Sequence, residues 1–200
     1  MAKLRACLAL LGSVLALNAY AADRAGSFSV RGAGLLTCDI FVKERAQQSR
    51  AYLMIGGWLD GYINGLNQYA ADTYDIMSFE STELLAVIIA EHCEAHPKDR
   101  LFSVVNTLMI KLRDDRIRER SPLLAVKVDK YQTRLYRETL RRAQRALSER
   151  GHFSGEITGA WDDKTERALR AFQRASDLMP TGFPDQKTLW RLLRREPATK

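Results

Sequence analysis

Gly159-Ala160-Trp161-Asp162-Asp163-Lys164-Thr165 and Gly182-Phe183-Pro184-Asp185-Gln186-Lys187-Thr188 share one pattern, G-x-x-D-x-K-T, and the second copy begins 23 positions after the first. Each leads into an amphipathic run: Ala168, Leu169 and Phe172 after the first copy, Leu189, Leu192 and Leu193 after the second. Self-similarity at a fixed period marks one supersecondary unit used twice. Glycine suits a tight turn, aspartate accepts from the first free N–H groups of a helix, and threonine three residues on can answer back toward the cap. Asp162 with Thr165, and Asp185 with Thr188, are therefore read as helix caps. The last third of the chain becomes a small helical module, entered through a long helix around Arg137–Arg150.

The residues before it have a different character. Lys3 and Arg5 precede an apolar run, Ala6 to Leu17, and Ala19-Tyr20-Ala21 offers a small-x-small cleavage site. Residues 1–21 thus read as a cleaved signal peptide, too short in its apolar part to span a membrane. Cys7 falls inside that segment. Cys38 and Cys93 remain, and in an oxidising compartment a pair of cysteines has one intramolecular pairing open to it. Two isolated cysteines, with His92 and His96 near only one of them, make a poor zinc site, so no metal is expected. Residues 22–112 carry eight basic and eleven acidic side chains, a net of −3, whereas 113–200 carry twenty-one and thirteen, a net of +8. Such asymmetry suggests two domains with different partners. An exported basic module has anionic envelope polymers to meet, and nucleic acid is not expected.

From Cys38 onward the pattern is helical. Leu53, Met54, Ile55, Trp58, Leu59, Tyr62, Ile63 and Leu66 give a stripe of helical period through about Tyr69, and Ala71–Asp75 breaks it as a turn. Leu84 to Ile89 drive a second helix that carries Cys93, and Pro97 precedes a third over 98–112. Gly57, Gly61 and Gly65 lie four apart in the first of these, each costing about 1 kcal/mol relative to alanine. Close approach of a neighbouring helix backbone is the expected compensation. A membrane GxxxG reading fails, because Asp60 interrupts the stripe and no apolar run of about 20 residues surrounds it. Arg113 to Pro122 is a charged run, read with the residues to 130 as a solvated linker. Leu123–Tyr131 alternates weakly at Val126 and Val128, as a short extended segment does.

Gln144-x-x-Leu147, Gly151-His152-Phe153-Ser154-Gly155, Ile157-Thr158-Gly159, Thr165, Ala168-Leu169-x-x-Phe172-Gln173, Leu178, Thr181-Gly182 and Thr188 occur in one order without a large gap. Over about Leu135 to Leu193 the chain resembles the peptidoglycan-binding domain 1 family. It departs at Thr158, where that family usually has aspartate, and at Asp162, where it usually has glycine. The resemblance implies a three-helix fold that binds peptidoglycan. Phe153, Trp161, Gln173 and Thr181, which bring aromatic faces and polar groups near the turns, are the expected contacts to sugar or stem peptide. Earlier in the chain, Leu36-Thr37-Cys38-x-x-Phe41, Trp58-Leu59-x-Gly61-Tyr62-x-x-Gly65, Tyr74-Asp75 and Ala90-x-x-Cys93-x-x-x-Pro97 resemble the HdeA-like and Rap1a/Tai-like families of small periplasmic helical proteins. The first resemblance implies an acid-stress chaperone, and the second implies immunity to a secreted cell-wall toxin.

Catalysis finds little support in the residue types. A thiol transpeptidase needs a reactive cysteine with histidine in a motif such as S-H-G-C-x-R, which is not present. His92 and His96 are spaced i,i+4 but have no H-E-x-x-H context, and Asp60 with Glu94 is a pairing that any helical protein offers. The expectation is an all-α, non-enzymatic periplasmic protein without cofactor or membrane span. Its parts are a signal peptide (1–21), a disulfide-linked helical bundle (22–112), a charged linker (113–130) and a peptidoglycan-binding module (131–200). The first domain would bind a periplasmic protein partner or act as a chaperone. The alternative is a cell-wall hydrolase or an accessory activator of one.

Overall fold

Helix starts follow local chemistry along most of the chain. In the computed structural model, which describes residues 22, 23 and 25–194, Ser49 and Ser81 each turn a side-chain oxygen onto the N–H three residues ahead, Tyr52 and Leu84. These caps open α2 (Arg50–Tyr69) and α3 (Thr82–Ala95), while α1 (Cys38–Ala46) and α4 (Leu101–Leu112) start without a side-chain cap. The signal-peptide reading of 1–21 lies outside the described residues. Those before Arg31 form a separate unit, in which Asp23 accepts from the N–H groups of Ala25 and Ser27.

From Arg31 onward the described residues fold as one unit. Helices α1 to α4 bury a common core of Phe41, Ile55, Leu59, Leu85, Ile89, Leu101, Val105 and Met109. Within it Cys38 and Cys93 form a disulfide that joins α1 to α3 across a sequence separation of 55. By the loop-entropy model, closing a loop of that length stabilises the fold by about 4 kcal/mol. Tyr52 donates to Glu83 (2.7 Å), and Tyr62 donates to Asn106 (2.8 Å).

Two expectations are corrected here. The fold is mostly helical but not strictly all-α. Residues 123–128 (β1) and 131–136 (β2) pair as an antiparallel hairpin, from Leu123 opposite Tyr136 to Val128 opposite Tyr131. The alternating Val126 and Val128 face inward, and Tyr131, Thr133 and Tyr136 are residues that suit a pleated strand. Asp129, at a φ of 51°, makes the tight connection with Lys130. The glycine stripe of α2 is the second correction. Among the described residues a Cβ added at Gly57, Gly61 or Gly65 would meet nothing within 4 Å, so no described helix backbone approaches them. The stripe instead lies on an outer face bounded by exposed Leu53, Met54 and Tyr69.

Three further helices complete the C-terminal part: α5 (Arg137–Glu149), α6 (Asp163–Ala175) and α7 (Gln186–Leu193). Leu147, Phe153, Leu169, Phe172 and Leu192 form their core. A third cluster of Phe79, Val126, Leu135, Leu140 and Leu189 joins this core to the first four helices. Trp190 packs against both the first core and this cluster, while Trp161 and Leu193 pack against both it and the α5–α7 core. Residues 113–130 are thus only partly solvated. Ile117 is buried and pairs with Asp75 through backbone bonds of 2.8–3.0 Å. Arg116 is also buried, donating to the carbonyls of Asp72 (2.8 Å) and Arg113 (2.7 Å).

The connection between α2 and α3 is the seam to the C-terminal part. Asp75 accepts from the Tyr136 hydroxyl (2.8 Å), and Ser78 O accepts from the Thr139 hydroxyl (2.5 Å). Burial, reinforced by the bond to Asp75, pushes the Tyr136 phenol well above its ordinary range. Gln186 spans the same seam, donating to Phe79 O (2.8 Å) and accepting from Ser81 N (2.9 Å). Glu80, whose side chain is fully buried, accepts from Ser78 N, Phe79 N and the guanidinium of Arg194.

Candidate functional site

The repeated unit is held by a pair of buried glutamines. Gln144 on α5 accepts from Gly159 N (2.8 Å) and donates to Ala160 O (2.9 Å) and the Thr165 hydroxyl (2.9 Å). Gln173 on α6 repeats the arrangement, accepting from Gly182 N (2.7 Å) and donating to Phe183 O (2.9 Å) and the Thr188 hydroxyl (3.0 Å). Both glutamines are completely buried. Asp162 accepts from the N–H and hydroxyl of Thr165 (2.7 and 2.6 Å), and Asp185 does the same for Thr188 (2.8 Å each). The Thr165 hydroxyl, helped by the backbone N–H of the same residue, holds the Asp162 carboxyl below its ordinary range, against the opposing effect of burial. Gly159 and Gly182 sit at φ values of 72° and 75°, and a Cβ would come within 2.6 Å of Arg137 O at the first and 2.8 Å of the Glu166 side chain at the second. Glycine is needed there on both grounds.

This lattice settles where the expected contact residues lie. Gln173 is engaged entirely inside the fold, and Phe153 is a buried core residue. Trp161 is half-buried between two clusters. Thr181 is half-buried, its hydroxyl accepting from Phe183 N (3.0 Å) and lying 3.4 Å from the Gln173 amide. The four do not form one surface. The His92 and His96 rings lie tilted at 4.6 Å between centroids in the first four-helix part, where His92 pairs with Asp99 (2.9 Å). No group of three His, Cys, Asp or Glu among the described residues is arranged to hold a metal ion.

A concave surface does exist, centred on His152, which follows the C-terminal end of α5. One groove, of about 370 Å³, is lined by Arg150, His152, Phe172, Ser176, Arg191 and Arg194. Its neighbour, of about 330 Å³, is lined by His152, Phe153, Ser154, Gly155, Lys164 and Arg167. His152 belongs to both, standing edge-on to Phe172 (6.0 Å), over which Arg150 also lies (5.9 Å). Among the described residues neither lining contains a carboxylate. Basic side chains around such a concavity can hold planar carboxylates through guanidinium forks.

Residues 136–192 match the family model described as "Putative peptidoglycan binding domain". The matched segment runs from the end of β2 to α7 and includes both glutamine-clamped turns. No curated protein and no solved structure matches the chain. The match does not extend to residues 22–112 and gives no support to the HdeA-like or Rap1a/Tai-like resemblance. Among the described residues no helix is long and apolar enough to cross a membrane. The disulfide and the peptidoglycan-binding-like segment are compatible with an extracytoplasmic location.

Sequence reasoning missed Arg150, His152, Lys164, Arg167 and Arg191 as a group. They come from the end of α5, the start of α6 and α7, and only the charge of the lysine and the three arginines was visible in the sequence, as part of the positive balance of residues 113–200.

Proposed function

We propose that the protein is a non-catalytic, periplasmic peptidoglycan-binding protein, and that the two grooves meeting at His152 take the carboxylate-bearing stem peptides of the wall. The observation that carries this reading is the basic lining of both grooves, free of carboxylates among the described residues and, apart from Arg194, within the segment that matches the family model. The first four helices supply the second part of the function, binding a periplasmic protein or protecting it under acid stress. The exposed face of α2 supports that part: Leu53 and Tyr69 are 71% and 79% exposed, at either end of a stripe with room above its glycines.

Co-sedimentation with purified sacculi tests the first part. The chain should pellet with sacculi, and Lys164→Glu with Arg167→Glu should release it. Sacculi whose carboxylates have been amidated should retain it poorly. Binding that survives both changes refutes the grooves as the site, and a clearing zone in a sacculus-containing gel refutes the non-catalytic reading. For the second part, the chain should suppress light scattering by an aggregating client at pH 2–3, or should crosslink to a periplasmic protein in a manner that Leu53→Asp abolishes.

A further inference from the structure

A separate basic cluster stands at the opposite end of α5. Where residues 117–122 pass the first turns of that helix they border an open cavity of about 340 Å³, lined by Arg118, Arg120, Arg137, Arg141 and Arg142 together with Glu119 and Glu138. The segment is pinned to the helix start, for Pro122 O accepts from Arg137 N (2.8 Å) and the Ser121 hydroxyl accepts from Glu138 N (3.0 Å). The cavity is therefore built into the fold.

The charges inside it do not cancel. Glu138 is shared by Arg141 and Arg142, each at 3.2 Å, and Arg118 pairs with Asp72. Arg142 also donates to the carbonyls of Asp115 and Arg116. These bonds fix the approach of three guanidinium groups, each of which has five N–H donors in all. Arg120 and Arg137 are exposed and make no ion pair with a carboxylate among the described residues. Five guanidinium groups thus face three carboxylates, Glu119, Glu138 and Asp72, at the positive end of a thirteen-residue helix.

We propose that this cavity binds a phosphate group, presented as a phosphomonoester. Guanidinium groups approach from two chain segments, and a tetrahedral dianion offers oxygens to both, whereas a single carboxylate fills one fork. The length of α5 separates this cavity from the His152 grooves by about 20 Å. The phosphate site therefore does not depend on the wall-binding reading. Two sources share the chemistry, a phosphorylated lipid headgroup and a soluble phosphate ester.

The test uses the chain from Ala22 onward. It is titrated calorimetrically with inorganic phosphate and with acetate at low salt, then mixed with vesicles of phosphatidylcholine, with and without phosphatidic acid. We expect saturable phosphate binding that the double variant Arg120→Gln, Arg137→Gln weakens at least tenfold without lowering the melting temperature. Lys164→Gln with Arg167→Gln, in the other grooves, should leave it unchanged. Sedimentation with phosphatidic acid vesicles alone identifies the headgroup as the source, and phosphate binding without vesicle binding identifies a soluble ester. Absence of saturable binding, equal affinity for acetate, or indifference to the Arg120 and Arg137 substitutions overturns the proposal.

Discussion

Arg194→Ala should uncouple the two halves of the fold. The Arg194 side chain is 9% exposed, and its Nε donates to Glu80 (2.9 Å), whose own side chain has no exposure. The guanidinium also lies over Phe79 (5.1 Å) and Trp190 (5.9 Å) and pairs with the half-exposed Asp115. After truncation Glu80 would keep, among the described residues, only the N–H groups of Ser78 and Phe79 as partners. Removing one member of a buried ion pair costs about 3–5 kcal/mol, because a desolvated charge is left behind. The exposed partner Asp115 adds at most about 1 kcal/mol. Urea unfolding followed through single-tryptophan versions retaining Trp58 or Trp161 reads both halves. The parent transitions should coincide. In Arg194→Ala the total stability should fall by about 3–5 kcal/mol, and the Trp161 transition should move below that of Trp58. Replacing both partners, as Glu80→Gln with Arg194→Met, should recover part of the loss, since no charge then stays buried. A loss under about 1 kcal/mol in Arg194→Ala, with the transitions still coincident, would refute the claim that this pair holds the seam.

Gln144→Ala and Gln173→Ala should each destabilise the C-terminal part by about 1–3 kcal/mol, since each strands a buried glycine N–H; chemical denaturation measures this, and wall binding by Gln173→Ala at temperatures where it stays folded should be retained. Asp162→Ala should cost about 1 kcal/mol through its lost cap. Because the folded-state pKa of Asp162 is lowered, its contribution is full above the ordinary aspartate value of 3.8 and fades as pH falls through the lower folded value. The stability difference between parent and Asp162→Ala should therefore shrink only in acid, which a pH series of melts checks. Gly61→Ala should stabilise the protein by up to about 1 kcal/mol, since the space above it is open and its φ is an ordinary helical one; a lower melting temperature would count against the exposed-face assignment.

The parts of the molecule legible in the sequence depend on neighbours a few residues apart. Asp162 and Asp185 cap the N–H three positions on, a relation that any chain reader can see, and the doubled G-x-x-D-x-K-T pattern announces two such helix starts. Cys38 and Cys93 have one partner each once Cys7 is read as part of a signal peptide, and the oxidising compartment which that reading implies makes the pairing the expected one; the disulfide is present. Other features needed the tertiary structure, because their partners are distant in sequence. Gln173 looked like a ligand contact, yet its bonds to Gly182 and Thr188 form only when the next turn folds back over α6, and burial then makes it a clamp. Asp75 closes a stretch that reads as an ordinary turn, and Ser78 and Glu80 carry no signal in the sequence, but the hydroxyls of Tyr136 and Thr139 and the guanidinium of Arg194 reach these three from beyond residue 130. The glycines of α2 cost helix stability in any context, and whether a neighbour covers them is decided by packing, which leaves them open. The His152 grooves arise in the same way: sequence supplies the positive charge, and the mutual packing of α5, α6 and α7 brings that charge to one concave surface.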